Sequence, residues 1–287
     1  MRRAILFWYY RDPEVCRTRV AQLARHNPGL PIFGLYGGAR HNATAFANIE
    51  ARLDDVWHYD DDQDADWKWR HGDRMLARWH ARRGHSLAWD QIFVAQWDFL
   101  ACAPLSPLFD AVGPCQIYLP GLRSLDGLAT RWWWTRADSP ESTDYARFIA
   151  HMQAQNYNGP FEACQFLASL MHRNFLDAYA KVADTVPGFL EYKLPAWARA
   201  HGFEPVDLPD LPVTWPGEPA PSNLVTLSAT KREIDPLDIL AELIRPGGRR
   251  YFHPVHRPMP VHFSSWAAFM AHYLPRLIKR TLLGKST

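Results

Sequence analysis

Cysteine is scarce in this 287-residue sequence, and the four cysteines are not arranged in pairs. Cys16, Cys102, Cys115 and Cys164 lie far apart and no CxxC occurs, which excludes a zinc ribbon and a disulfide-stabilised scaffold. No stretch approaches the ~18–20 apolar residues of a membrane-spanning helix. The opening MRRAILFWYY looks like the start of a signal peptide, but RDPE ends the apolar run and no small-residue cleavage site follows. We therefore expect a cytoplasmic protein.

The sequence also lacks a large excess of positive or negative charge, and it lacks the common phosphate-binding motifs. The 32 lysines and arginines nearly balance the 30 acidic residues, so the net charge of +2 does not favour a nucleic-acid-binding protein. Neither GxGxxG nor GxxxxGK[ST] occurs, which argues against a dinucleotide-binding Rossmann site and against a P-loop kinase. HEXXH, the helical zinc motif, is also absent.

Alternating strand and helix patterns fill the first part of the chain. Continuous apolar runs predict strands that are buried on both faces, and apolar residues at helical spacing predict the helices between them. In chain order these are the strand AILFWYY, the helix EVCRTRVAQLARHNPG, the strand LPIFGLYGG, the helix ATAFANIEARL and the strand VWHYD. This alternation predicts a three-layer α/β/α fold with a mostly parallel central sheet.

The remainder of the chain is less regular. WKWRHGDRMLARWHARRG predicts one helix that ends at Gly84, and DQIFVAQWDFL predicts a fourth strand. CQIYLPGL is strand-like, residues 144–156 and 161–183 have helical patterns, and the proline-rich residues 205–222 predict an irregular loop. SSWAAFMAHYLPRLIKRTLLGK predicts a basic amphipathic helix. We expect one domain with a helical and irregular C-terminal portion.

Polar residues follow three of the predicted strands at the point where each strand ends. They are Tyr10-Arg11-Asp12, Tyr59-Asp60-Asp61 and Gln96-Trp97-Asp98. Ligands of parallel α/β sheets bind beyond the carboxyl ends of the strands, so these side chains form a candidate site. An aromatic ring, an arginine and several carboxylates suit a nucleotide that carries a diphosphate and a metal. Asp98 interrupts an apolar run, where a carboxylate is costly unless it is paired, protonated or bound to a metal.

Three stretches of the chain resemble the amino-terminal halves of GT-A-type, nucleotide-sugar-dependent glycosyltransferases. They are FWYYRDPEVC…LARHNPGLPIFGLYGG, WRHGDRMLARWHARRG and AWDQIFVAQWDFL, within residues 4–122. In that family the strand at this place carries a DxD motif, whose last Asp holds Mn²⁺ or Mg²⁺ and, through it, the sugar-nucleotide diphosphate. Gln96-Trp97-Asp98 matches only at the last position. The resemblance therefore implies that Asp98 is a metal ligand, and it leaves the family's ribose contact without its usual aspartate.

Weaker matches to the same family occur in the carboxy-terminal half. YNGPFEAC, with Gly159, resembles the loop that faces the donor sugar, and FHPVH resembles the late histidine that completes metal coordination, which implies His253 ahead of His256. Glu191, in PGFLEYKLPAWARAHGF, stands where the family has a catalytic or acceptor-binding carboxylate. If the reaction inverts configuration, Glu191 is the expected general base, with Asp184 and Glu162 as alternatives.

The resemblance implies a donor site and a metal site. The residues expected to bind the nucleotide-sugar donor are Tyr10, Arg11, Asp60, Asp73, Gln96, Trp97 and Gly159, and those expected to bind Mn²⁺ or Mg²⁺ are Asp98 and His253. Structural roles stay open: Asp60 belongs to an acidic run typical of a solvated loop, Asp73 is favoured by the dipole at the start of a helix, and Asp98 could accept backbone hydrogen bonds.

The predicted function is transfer of a sugar, with a UDP-sugar favoured, to a glycan or other hydroxyl acceptor in bacterial glycan biosynthesis. The alternative is a catalytically inactive protein that binds a sugar nucleotide or glycan. A nucleotidyltransferase is disfavoured because no glycine-rich basic loop follows the first strand.

We divide the domain into a nucleotide-binding half (1–122), an acceptor-binding and metal-completing half (123–262) and the C-terminal helix (263–287). That helix packs on its own domain, on a second subunit, or on an anionic membrane surface where a lipid-linked acceptor would lie, so a homodimer and a peripheral location at the inner face of the membrane both stay open.

Overall fold

The computed structural model describes residues 1–59, 61, 63–209, 211–215, 227–228 and 233–283. Its strands are β1 (Arg3–Tyr9), β2 (Ile32–Tyr36), β3 (Asp55–His58), β4 (Gln91–Gln96), β5 (Leu100–Ala101), β6 (Gln116–Tyr118), β7 (Arg123–Ser124), β8 (Glu162–Ala163), β9 (Ala168–His172), β10 (Glu204–Val206), β11 (Val213–Thr214), β12 (Leu227–Ser228) and β13 (Tyr251–Phe252). Its α-helices are α1 (Pro13–His26), α2 (Ala47–Glu50), α3 (Ala65–Arg70), α4 (Gly72–Arg82), α5 (Ser106–Ala111), α6 (Leu125–Leu128), α7 (Ser142–Ala154), α8 (Arg173–Tyr179), α9 (Leu190–Ala200), α10 (Pro236–Ile244) and α11 (Phe263–Leu282).

A seven-stranded sheet lies at the centre, in the order β10-β6-β9-β4-β1-β2-β3. Strands β4, β1, β2 and β3 run parallel, β10 runs parallel to β6, and β9 runs antiparallel to both of its neighbours. The predicted α/β fold with a mostly parallel central sheet is therefore confirmed.

Strand β1 shows why the sheet is covered on both sides. Leu6 and Trp8 contribute to the core on one face of the sheet, and Ile5, Phe7 and Tyr9 contribute to the core on the other. Successive side chains of a strand point to opposite faces, so a continuous apolar run needs packing partners on both.

The predicted helix over 161–183 is wrong. That range contains β8, the buried antiparallel strand β9 between β4 and β6, and only then α8. All five residues of β9 are buried, and a short run that is buried on both faces has no alternation that would separate it from a buried helix.

Two other predicted helices are interrupted. Residues 43–53 contain the end of a 3₁₀ helix, Arg40–Phe46, followed by the single turn of α2. The helix expected up to Gly84 is broken at His71 into α3 and α4, and Gly72 at the start of α4 lies against the ring of Trp8.

A third, smaller core joins the C-terminal segments to the sheet. Its buried members are Leu100, Ile234, Ile239, Phe252, Val255 and Met259, and Trp266 and Phe269 of α11 pack against them. Among the described helices, none is both long enough and apolar enough to cross a membrane.

Replacing Gly72 with alanine should destabilise the protein. The added Cβ would lie 2.2 Å from Cη2 of the buried Trp8 side chain, so we expect a loss of about 1–3 kcal/mol in the free energy of unfolding measured with urea. Gly127 in α6 is the matched control because a Cβ there meets nothing within 4 Å, and Gly127→Ala should cost nothing. Equal effects of the two substitutions would contradict the close approach of α4 to β1.

Candidate functional site

Asp98 lies in the turn that follows β4, and a short two-stranded ladder brings the FHPVH segment beside it. Strand β5 pairs antiparallel with β13, so that Leu100 stands opposite Phe252. The backbone N–H of Val255 donates to the carbonyl oxygen of Asp98 at 3.0 Å. Residues about 150 positions apart in the chain are thereby held in register.

Two imidazoles face the two oxygens of this carboxylate. His253 Nε2 lies 3.3 Å from Asp98 Oδ1, and His256 Nε2 lies 3.4 Å from Asp98 Oδ2. His253 Nδ1 lies 2.8 Å from the carbonyl oxygen of Ser228, to which it must donate, so neutral His253 has its lone pair on Nε2. That lone pair would face a carboxylate oxygen, an arrangement that requires a proton or a cation between them.

Asp98 is ionised in this setting. Burial raises the pKa of its carboxyl, but His253 and His256 lower it more, and the net pKa lies well below the usual range. The pKa of His256 is raised, chiefly by its hydrogen bond to Asp98. Asp98 Oδ1 is nonetheless buried, and it accepts no hydrogen bond of acceptable geometry from the residues that the structure describes.

The pair Asp98 and His253 fits a divalent cation. At metal–ligand distances of about 2.1–2.2 Å, neighbouring ligands of one ion lie roughly 3.0–3.3 Å apart, and the observed separation is 3.3 Å. A histidine ligand that donates its other N–H to a backbone carbonyl is the usual arrangement in metal sites. In the part of the chain that the structure describes, no group of three or more His, Cys, Asp and Glu side chains forms a metal-binding cluster.

Aromatic and cationic side chains border the carboxylate. The ring of Trp97 stacks on His256, with centroids 5.4 Å apart, and meets Tyr10 edge-on at 6.1 Å. The exposed guanidinium of Arg11 lies 6.0 Å from the centre of the Tyr10 ring. Burial, followed by the charge of Asp98, raises the pKa of Tyr10 to about 12. The structure thus brings together the predicted residues Tyr10, Arg11, Trp97, Asp98 and His253, together with His256, which the resemblance placed second to His253.

Gln96 and Glu191 are joined through the backbone of Phe166. The amide nitrogen of Gln96 donates to the carbonyl oxygen of Phe166, and the N–H of Phe166 donates to Glu191 Oε1 at 2.8 Å. Gln96 is buried, and its side-chain amide is engaged in this contact. Glu191, in the first turn of α9, connects in this way to the end of β4.

Glu191 differs from the two carboxylates that were its alternatives. Burial raises its pKa to about 8, and the hydrogen bond from Phe166 opposes this only in part. Glu162 pairs with Arg199 at 2.7 Å, and Asp184 pairs with Arg78 at 3.2 Å. An unpaired carboxyl with a raised pKa is the better candidate for proton transfer near neutral pH.

Asp73 has a different environment from the one predicted. It is fully buried, its Oδ2 lies 2.7 Å from Lys193 Nζ, and the hydroxyl of Tyr179 donates to the same oxygen at 2.5 Å. A direct contact with a nucleotide would require this pair to open, so the burial argues against the predicted role of Asp73.

Two clefts lie apart from Asp98, and one of them is bordered by the predicted donor residue Gly159. Gly159 borders a cleft of about 450 Å³ beside Trp197 and Arg199, where an added Cβ would lie 2.5 Å from the hydroxyl oxygen of Tyr157. A larger cleft, about 750 Å³, is bordered by His71, Arg74, Asp144, Arg147, Ala150, His151, Asp184, Thr185, Pro187 and Gly188. Neither cleft is lined by Asp98 or His253. Asp60 lies outside the described residues.

Comparisons with known proteins give distant structural likenesses. No protein-family model matches the chain, and no curated protein matches it. The solved structures that it resembles include the bifunctional glycosyltransferase WbbM without ligand, at 12% identity and a TM-score of 0.43, over 76% of this chain and 40% of that one. They also include the glycosyltransferase GlyE of Streptococcus pneumoniae TIGR4, at 14% identity and a TM-score of 0.37, over 74% of this chain and 46% of that one. The chain thus spans less than half the length of these structures, and likeness at this level identifies no function by itself.

The buried pair of Asp73 and Lys193 should dominate the stability of this region. Lys193→Met leaves the buried carboxylate of Asp73 without its cation, and we expect a loss of about 3–5 kcal/mol in the free energy of unfolding. The double replacement with Asp73→Leu should recover most of that loss, because no unpaired charge then remains buried.

The exposed pair of Arg17 and Glu14 is the control, and Arg17→Met should leave the urea midpoint nearly unchanged. A small cost of Lys193→Met, similar to that of the control, would mean that the Asp73 carboxylate is solvated in the folded state.

Proposed function

We propose that the protein is a metal-dependent glycosyltransferase of the GT-A type, which transfers a sugar from a nucleoside-diphosphate sugar, with a UDP-sugar favoured, to a hydroxyl acceptor on a glycan. The contact between Asp98 and His253 carries this proposal. It lies at the carboxyl end of a parallel sheet, where ligands of such folds bind, and it leaves a buried carboxylate oxygen facing an imidazole lone pair.

A divalent cation held by Asp98 Oδ1 and His253 Nε2 would stabilise the negative charge that builds on the leaving diphosphate. The imidazole ligand favours Mn²⁺ over Mg²⁺. Arg11 is exposed beside this pair and adds a positive charge for the phosphate oxygens. Tyr10, which is partly exposed, offers a ring surface for the nucleoside or the sugar, whereas the ring of Trp97 is buried and stacks on His256.

Glu191 is the proposed general base, which would accept the proton of the acceptor hydroxyl in an inverting reaction. Its raised pKa makes it a strong enough base to take that proton, and the N–H of Phe166 fixes the orientation of its carboxylate. Lys193 follows two residues later in α9 and pairs with Asp73 of α4, so this ion pair anchors the start of α9 to α4.

Binding of the donor is tested by calorimetric titration with UDP in the presence and absence of Mn²⁺. We expect metal-dependent binding that Asp98→Ala abolishes and that His253→Ala weakens at least tenfold, because each removes a ligand of the ion. Asp110→Asn, at an exposed carboxylate paired with Arg3, is the control and should bind as the wild type does.

Thermal denaturation of each variant shows whether it is folded. Absence of heat with every nucleoside diphosphate, with Mn²⁺ and with Mg²⁺, would remove the donor site. Donor binding without transfer to any of a panel of acceptors would favour the inactive sugar-nucleotide-binding protein instead.

The role of Glu191 is tested by the pH dependence of transfer. A base must be deprotonated, so kcat/KM of the wild type should rise with pH and reach its plateau above about pH 8. Glu191→Gln keeps an oxygen for the N–H of Phe166, but it should lower kcat by a factor of roughly 10²–10⁴ and remove this pH dependence.

A merely structural carboxyl would behave differently. Because the folded-state pKa of Glu191 is raised, the folded protein binds this proton more tightly than the unfolded chain does, and stability should fall as pH rises from about 4.5 to 8. If Glu191→Gln flattens this stability profile but leaves the profile of kcat/KM unchanged, Glu191 is not the base.

A further inference from the structure

The C-terminal part of the chain is basic without compensating acids. No Asp or Glu follows Glu242, whereas eight arginines and lysines do: Arg245, Arg249, Arg250, Arg257, Arg276, Lys279, Arg280 and Lys285. The overall net charge is only +2, so this positive charge is concentrated at one end of the sequence.

Helix α11 has two apolar faces, and the described residues pack against one of them. Trp266 and Phe269 lie against the third core, and Leu277 is buried. The other face carries Phe263, Ile278 and Leu282, whose exposed fractions are 86%, 50% and 79%, together with the exposed Ala267 and Ala271. The spacing of 263, 267, 271, 278 and 282 places these residues on one side of the helix.

Cations lie on the other sides of α11: at about 100° per residue, Lys279 falls beyond the edge formed by Leu282, and Arg276 falls nearly opposite the centre of the exposed apolar face. Arg276 contacts the imidazole of His272 and the ring of Tyr273, and among the described residues neither Arg276 nor Lys279 has a carboxylate within ion-pair distance. Arg280, by contrast, pairs with Asp238 at 2.6 Å and ties the helix to α10. The part of α11 away from its exposed apolar face is therefore positively charged, and the described residues do not neutralise Arg276 or Lys279.

We propose that the face of α11 formed by Phe263, Ala267, Ala271, Ile278 and Leu282 docks on an anionic lipid membrane surface. An apolar stripe on a helix whose other sides carry arginine and lysine is typical of helices that lie at the boundary between acyl chains and anionic headgroups, because the long cationic side chains reach the headgroups. A second copy of this chain would cover the apolar stripe, but its own C-terminal part would offer these cations no carboxylate, since no Asp or Glu follows Glu242.

Docking would also orient the candidate site. Val255 and Phe252, on either side of His253, belong to the third core on which α11 packs, so α11 and the metal-binding segment form one packed unit. A membrane-bound α11 would hold that segment near the lipid surface. If the proposed function is correct, the acceptor class is then a lipid-linked glycan.

The test is sedimentation of the full chain with vesicles of phosphatidylcholine alone and of phosphatidylcholine with 30% phosphatidylglycerol. We expect binding to the anionic vesicles that weakens as NaCl is raised. Ile278→Glu should weaken it at least tenfold, and the double variant Arg276→Gln/Lys279→Gln should weaken it about 25-fold, at roughly fivefold per charge.

Two variants elsewhere serve as matched controls. Trp133→Glu changes a similarly exposed apolar residue, at 46% exposure, and Lys181→Gln removes an exposed charge, so both should bind vesicles as the wild type does. Absence of binding to anionic vesicles, or equal binding by all variants, would overturn the proposal. A concentration-dependent dimer that Ile278→Glu dissociates would assign the face to a second copy.

These outcomes are separate from those of the donor titration. A chain that binds UDP and Mn²⁺ but not vesicles loses only the membrane assignment. A chain that binds vesicles but no nucleotide loses only the proposed transferase function.

Discussion

The pairing of β5 with β13 is the constraint on which the candidate site depends. It places an imidazole opposite a buried carboxylate that would otherwise be too costly at the end of β4. His253 and His256 lower the pKa of Asp98, and the contact of His253 Nδ1 with the carbonyl oxygen of Ser228 leaves Nε2 facing the carboxylate. A proton or a cation must lie between Asp98 and His253. The cation of the proposed donor complex would fill this place.

A second buried charge pair organises the opposite side of the sheet. Asp73 and Lys193 join α4 to α9, and α9 presents Glu191 to the backbone of Phe166. Gln96 reaches the same backbone from the end of β4. The result is that the candidate base and the candidate metal site are both anchored to the last residues of one strand. The two buried carboxylates differ in their partners, since Asp73 pairs with a lysine and Asp98 faces two histidines.

The sequence predicted the parallel part of the sheet well and the inserted strand badly. Runs such as AILFWYY and QIFVAQ are apolar, and helices at regular spacing separate the strands, so local pattern and tertiary role agree. The residues of β9 are also apolar, but their strand conformation is fixed by pairing with β4 and β6, which no local pattern records. In the same way Asp73 and Asp98 are each a single acidic residue in the sequence, and only the fold distinguishes the one paired with lysine from the one that faces histidine.

The sequence alone determined that chemistry-bearing residues end the strands of an α/β sheet, because burial on both faces forces long apolar runs and leaves polar residues to the strand ends. It also determined that the last part of the chain is basic and amphipathic. Only the tertiary structure decided which polar residues meet. Asp98 and His253 are brought within 3.3 Å by a two-residue ladder, and Glu191 acquires its raised pKa from burial. Both effects depend on distances between segments that are remote in the chain, and residue order does not contain those distances.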